Sequence, residues 1–82
     1  MLTLRYFARY REALACADEQ LTRPAHVRTL ADLQQHLLER GGAWTVLDDA
    51  RLRCARNQVL CSLDSELADD DEIAFFPMVT GG

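Results

Sequence analysis

The side chains best suited to chemistry are few in this chain, and their spacing defeats each of the usual arrangements. His26 and His36 are the only imidazoles, and neither stands at a zinc-ligand spacing from a cysteine or from another histidine. Cys16, Cys54 and Cys61 include no CxxC pair and are odd in number, which supports neither a disulfide framework nor a structural zinc. They read as small apolar residues, buried or half-buried. Ser62 and Ser65 lack the glycine-flanked turn that exposes a hydrolase nucleophile. Asp69, Asp70, Asp71 and Glu72 are consecutive, whereas a calcium loop alternates its oxygen ligands around a central glycine. These acids read as a solvated turn before a strand, with an acidic patch able to meet a basic partner. The four glycines stand at 41, 42, 81 and 82, so no glycine-rich loop cradles a phosphate.

The reactive group with an unusual setting is the carboxylate of Gly82. The chain closes on "AFFPMVTGG", an apolar run and a proline followed by two glycines. Fully extended, the stretch from Val79 to Gly82 spans about 13 Å, enough to enter another protein's active site while the domain stays outside. Gly81 and Gly82 have no Cβ and can thread a narrow channel. A carboxylate delivered in this way can be activated by ATP as an acyl-adenylate, an acyl donor with a good leaving group. The plain alternative is a frayed, unconstrained end.

Such an arm needs a folded base. "LTLRYFAR" alternates, with Leu2, Leu4, Tyr6 and Ala8 on one face and Thr3, Arg5, Phe7 and Arg9 on the other, the period of a half-buried strand. Phe7 therefore falls on the polar face. "YREALA" fits a short helix and "DEQLTR" a short strand, with Asp18 and Glu19 in the turn between them. The clearest helix covers residues 29–40: Thr29 caps it, Asp32 sits at the third helical position, and Leu30, Leu33, Leu37 and Leu38 form its apolar stripe. Gly41 and Gly42 stop it in a left-handed cap. "AWTVLDDA" is ambiguous and fits a further helical turn with Trp44 and Leu47 against the core. "RLRCARNQVLCSL" holds one or two short strands with a turn near Asn57 and Gln58 or just after them. Ile73, Ala74, Phe75 and Phe76 form the last strand, which Pro77 ends or places at an edge.

One main helix over a mixed sheet of four or five strands is a two-layer α+β domain. With the first and last strands as central neighbours, the sheet gains a buried middle and short edges, the arrangement of the β-grasp, or ubiquitin-like, fold. Residues 1–82 make one domain, with residues 78–82 as a flexible C-terminal tail. Neighbours in a strand face opposite ways, so Phe75 reads as core and Phe76 as surface. Phe76 and Phe7 are the candidate partner-binding pair, with Pro77 setting the exit of the arm.

The composition closes off other classes. A net charge of −4 without a basic stretch excludes a phosphate-neutralising surface and makes nucleic acid an unsuitable partner. No apolar run approaches the roughly 20 residues that cross a bilayer, and "MLTLRYFARY" carries charges where a signal peptide needs an apolar stretch. A cytoplasmic protein with no membrane partner is expected. All nine basic residues are Arg, so an activated acyl end would find no lysine on its own chain.

The strand "LTLRYFARYRE", the helix "TLADLQQHLLERG", the segment "LRCARNQ" and above all "DDDEIAFFPMVTGG" resemble the ubiquitin-like sulfur carriers, the family that includes the small subunit of molybdopterin synthase. The resemblance spans essentially the whole chain. It departs from the family pattern at Met78, where a second proline is usual, and at Arg56, where an apolar residue is common. The resemblance implies a carrier cycle. A ubiquitin-activating-type adenylyltransferase adenylates Gly82 with ATP, a sulfur donor converts it to a thiocarboxylate, and Gly81, Thr80, Val79 and Met78 form the arm. The thiocarboxylate then gives its sulfur to cyclic pyranopterin monophosphate in the large subunit of the synthase, building the molybdopterin dithiolene. It further implies a chain that binds no cofactor, is not catalytic alone, and joins a heterotetramer whose catalytic side chains belong to the large subunit. A carrier for thiamin or another pathway, a ubiquitin-like modifier that acylates lysines, and a plain interaction module remain the alternatives.

Overall fold

Alternation in the opening residues produces β1 (Leu2–Tyr6), in which Leu2, Leu4 and Tyr6 are buried while Arg5 stays exposed. The structure is a computed structural model and describes residues 1–78; Val79, Thr80, Gly81 and Gly82, assigned above to the arm, lie outside the described residues. After β1 come α1 (Ala8–Leu14), β2 (Asp18–Leu21), α2 (Leu30–Leu38), a 3₁₀ segment (Gly42–Leu47), β3 (Leu52–Arg56), β4 (Val59–Cys61) and β5 (Glu72–Pro77). The sheet order is β2-β1-β5-β3-β4. β1 and β5 run parallel, with Leu4 opposite Ile73 and Tyr6 opposite Phe75, and the other pairings are antiparallel. This is the expected β-grasp, with five strands and short edges.

One face of the sheet meets α2. Leu30, Leu33 and Leu37 are wholly buried against Leu2, Leu4, Ile73 and Phe75, and Leu38 packs at the margin. The helix starts where expected, because Thr29 Oγ1 accepts from the Asp32 amide while the Asp32 carboxylate accepts from the Thr29 amide. Its end differs from the expected glycine cap. The Arg40 and Gly41 amides reach back three residues, to Leu37 and Leu38, so the last turn tightens before the glycines arrive. The cap is Glu39 in a right-handed conformation, and Gly41 (φ 72°, ψ −171°) leads instead into the 3₁₀ segment, where Leu47 is buried and Trp44 half-buried. No helix among the described residues is long and apolar enough to cross a membrane.

Two acidic stretches also differ from the sequence reading. Asp18 and Glu19 pair within β2 instead of forming a turn, since Ala15 takes the left-handed position (φ 51°) that reverses the chain. Glu19 then accepts from Tyr6 Oη at 2.7 Å and from Arg40 at 2.8 Å. In the run 69–72, Asp69 and Asp70 are exposed, but Asp71 is only 5% accessible. Its carboxylate accepts from Arg56 Nε at 2.6 Å, from the Ala68 amide at 2.8 Å and from Asn57 Nδ2 at 3.0 Å. A buried carboxylate persists when donors replace its lost water, and here Arg56 supplies the charged one. Arg56 therefore braces the turn end of the β3–β4 hairpin, beside Asn57.

Burial alone would raise the Asp71 carboxyl, yet its hydrogen bonds from Arg56, Ala68 and Asn57 outweigh that and hold it below the ordinary carboxyl range. A folded-state value below the unfolded one contributes stability that is complete above about pH 5 and is lost as pH falls from there through the folded-state value. Asp71→Ala is therefore expected to lower stability in urea by about 1–3 kcal/mol at neutral pH. Asp71→Asn should flatten the loss of stability between about pH 5 and pH 3. An acid limb as steep in Asp71→Asn as in the parent would contradict the bracing role.

Candidate functional site

The alternation that buries Phe75 completely leaves its neighbour Phe76 half-exposed on the opposite, uncovered face of the sheet. Phe7 reaches the same face one residue past the end of β1, in an extended conformation (φ −128°, ψ 158°) that continues the alternation. Its amide donates to the Phe75 carbonyl at 3.1 Å, and Ala8 then turns the chain into α1 in a left-handed conformation (φ 52°). A left-handed alanine costs about 1 kcal/mol or more. Phe7 is left 38% exposed at the end of β1.

Between the two rings lies an open groove of about 490 Å³, lined by Phe7, Phe76 and Pro77 with Ala8 and Ala74, and bordered by Arg5, Glu72 and Gln58. It is hollow because Ala74 offers only a methyl group between larger neighbours. Arg5 and Glu72 approach to 3.9 Å and both are partly solvated, so they form a polar rim and not a strong bond. The Arg5 guanidinium also lies 5.5 Å from the centre of the Phe7 ring.

The structure thus brings together Phe7, Phe76 and Pro77, the residues read as partner-binding. Pro77 closes β5 opposite Leu52 of β3, and the side of β5 where its missing N–H would point is the side on which β1 has already ended. Met78, the first residue of the arm, is still tied to the sheet: its amide donates to the Arg51 carbonyl at 2.7 Å. Gly82, Gly81, Thr80 and Val79 follow directly from that point in sequence and lie outside the described residues.

Sequence reading missed how far the open face extends. Ala74 pairs with Ala55, and Ala55 with Leu60, so Leu60 shares the face with the groove and is 73% exposed. The signal was present in "NQ". Asn57 and Gln58 both take positive φ (52° and 70°) as a two-residue hairpin turn, and once that turn is fixed the register of Leu60 follows.

Other clusters of reactive side chains are braces. Asp49 is held down to about 2 by the Arg51 amide, by Arg9 and by Tyr10 Oη. Burial and the same carboxylate push Tyr10 up to about 12. Each of these groups has a hydrogen-bond partner among the others. His26 and His36 come within 5.8 Å between ring centres, closer than their sequence separation suggests. Among the described residues, no group of three or more His, Cys, Asp or Glu side chains could hold a metal.

Comparison with known proteins extends these observations. The sequence profile of the ThiS family matches residues 4–82. The chain is 39% identical, over the full length of both sequences, to the molybdopterin synthase sulfur carrier subunit of Escherichia coli. In fold it is similar to SAMP1 from Haloferax volcanii, with a TM-score of 0.78 at 23% identity over 99% of this chain and 98% of that one. It is also similar to a chain in the complex of subunits 1 and 2 of molybdopterin-converting factor from Helicobacter pylori, with a TM-score of 0.67 at 23% identity, covering 99% of this chain and 97% of that one.

The two neighbouring phenylalanines should separate cleanly in stability measurements. Phe75→Ala is expected to cost about 3–5 kcal/mol in urea unfolding, the range for a fully buried ring. Phe76→Ala and Phe7→Ala should each cost about 1 kcal/mol or less. Equal losses at 75 and 76 would place Phe76 in the core and remove it from the open face.

Proposed function

The chain belongs to the ThiS family, and from that membership we propose that it is the sulfur carrier subunit of a molybdopterin synthase. The observation that carries the reading is the groove of Phe7, Phe76 and Pro77, set on the strand that leads directly into the Gly81-Gly82 end. The full-length likeness to a carrier subunit selects the pathway. In this reading the large synthase subunit docks on the open face, with Phe7 and Phe76 as buried anchors and Leu60 extending the contact. Two such subunits sit at the ends of a large-subunit dimer.

The chemistry belongs to the Gly82 carboxylate. On a ubiquitin-activating-type adenylyltransferase the carboxylate attacks the α-phosphorus of ATP, pyrophosphate leaves, and an acyl-adenylate forms. A sulfur donor then displaces AMP and leaves a thiocarboxylate. Inside the large subunit, the thiocarboxylate sulfur attacks a carbon of cyclic pyranopterin monophosphate, a C–S bond forming as a C–O bond to that carbon breaks; water then cleaves the acyl–sulfur bond, which leaves the sulfur on the pterin and returns Gly82 as a carboxylate. The narrow glycine end admits the acyl group to both active sites, and burial of the arm restricts the nucleophile to the correct partner. The carrier holds no cofactor of its own, and ATP is consumed on the activating partner.

Two measurements test this. After incubation with an adenylating partner, ATP and a sulfur donor, the intact mass should rise by about 16 Da, one oxygen exchanged for sulfur at the C-terminus. Attachment to lysines of other proteins would instead indicate a modifier, and an unchanged mass under conditions that load a known carrier would exclude activation. Phe76→Ala should weaken binding to the large subunit by about tenfold or more, equivalent to about 1.4 kcal/mol. Undiminished affinity would remove Phe76 from the interface.

A further inference from the structure

The β3–β4 hairpin holds a second pair of reactive groups on the face of the sheet away from the groove. Cys54 and Cys61 are directly opposed in the antiparallel register, and their sulfurs lie 3.5 Å apart with no group between them. Opposed residues of an antiparallel pair have Cα atoms roughly 4.5–5.5 Å apart, inside the roughly 4.4–6.8 Å window that a disulfide spans. Closing the bond requires rotation of two short side chains and a sulfur approach to about 2.05 Å, without a change of register. Both cysteines are free.

We propose that Cys54 and Cys61 are a site of reversible oxidation, a dithiol that peroxide converts to a cross-strand disulfide and a thiol reductant reopens. The two sulfurs have different roles because their surroundings differ. Cys54 is 2% accessible and stands opposite Phe75 in the strand register, whereas Cys61 is half-buried on the three-residue edge strand β4. Burial, reinforced by Cys61, pushes the Cys54 thiol up to about 12, and Cys61 is the more accessible sulfur, the one that the oxidant can reach. The Cys61 thiolate attacks one peroxide oxygen, the O–O bond breaks, and hydroxide leaves as water after taking a proton, giving a sulfenic acid at Cys61. The Cys54 sulfur then attacks the Cys61 sulfur; the S–O bond breaks, the Cys54 proton goes with the departing hydroxide, and a second water forms. Two electrons pass from the pair to the peroxide, and two thiols become one disulfide. A thiol reductant reverses the step by exchange. The bond would fasten the edge strand that carries Leu60 to its neighbour β3.

The full chain permits a direct test, since trypsin, which spares the Arg23–Pro24 bond, separates the three cysteines: Cys16 falls in residues 12–28, Cys54 in residues 54–56 and Cys61 in residues 57–82. Treatment of the folded protein with hydrogen peroxide should lower the intact mass by about 2 Da, the loss of two hydrogens on disulfide formation. The digest should then contain residues 54–56 linked to residues 57–82, with Cys16 still open to alkylation, and dithiothreitol should restore all three thiols. Cys16→Ser should form the same link. Peroxide treatment that leaves Cys54 and Cys61 both alkylatable, oxidises Cys61 alone to the sulfinic acid, or links either one to Cys16 or to a second chain would overturn the proposal.

Discussion

The parallel pairing of β1 with β5 is the constraint on which the rest of the molecule depends. It joins strands from opposite ends of the chain, and a parallel pair requires a long crossover, so all the intervening elements have to wrap around it. The pairing makes β5 the middle strand, bonded to β1 on one side and β3 on the other. A strand held on both edges cannot slip by one residue without exchanging its faces. Phe75 is thereby committed to the core and Phe76 to the open face, and Met78 leaves the sheet from a fixed base.

The hairpin next to this strand is secured by a small polar network in place of apolar packing. Asn57 occupies a left-handed turn position, and its side chain both donates to Asp71 and accepts from the Glu72 amide at 2.9 Å. Its own amide donates to the Glu72 carbonyl at 2.8 Å. The turn of one hairpin and the entry to β5 are thus a single unit, with the Asp71 carboxylate accepting from Arg56, Asn57 and Ala68 at its centre. The departure at Arg56 from an apolar residue is explained by this network: beside the hairpin turn, a guanidinium that satisfies a buried carboxylate replaces an apolar contact.

Most of the fold was legible because it rests on alternation and helix capping, which are local. Leu2, Leu4 and Tyr6 against Arg5, and Thr29 with Asp32, state their geometry within a few residues. The run of acids 69–72 was misread because composition says solvated turn, and only the tertiary placement of Arg56 and Asn57 removes Asp71 from water. The helix end was misread for a related reason. Gly41 carries a cap signal, but the last α2 turn had already tightened under its own three-residue hydrogen bonds. On the open face, Phe76 could be inferred from parity within β5 and Phe7 from the alternation that it continues just past β1, whereas Leu60 depends on register across three strands, and the groove depends on the small size of Ala74.

Under the proposed reading, the site divides into an anchor and a reactive end, and the division has an energetic logic. A terminal carboxylate on two glycines gains almost nothing from its own fold, so its placement in a partner's active site must be driven from elsewhere. The groove is the nearest source: apolar burial at Phe7, Phe76 and Leu60 can offset the entropy lost when a glycine arm is ordered. Binding energy generated on the central strand is then spent on positioning an atom several residues away, which is how interactions remote from a reacting centre raise its rate. The same separation lets one arm serve two enzymes in turn, since each partner need only recognise the shared open face and provide a channel narrow enough for glycine.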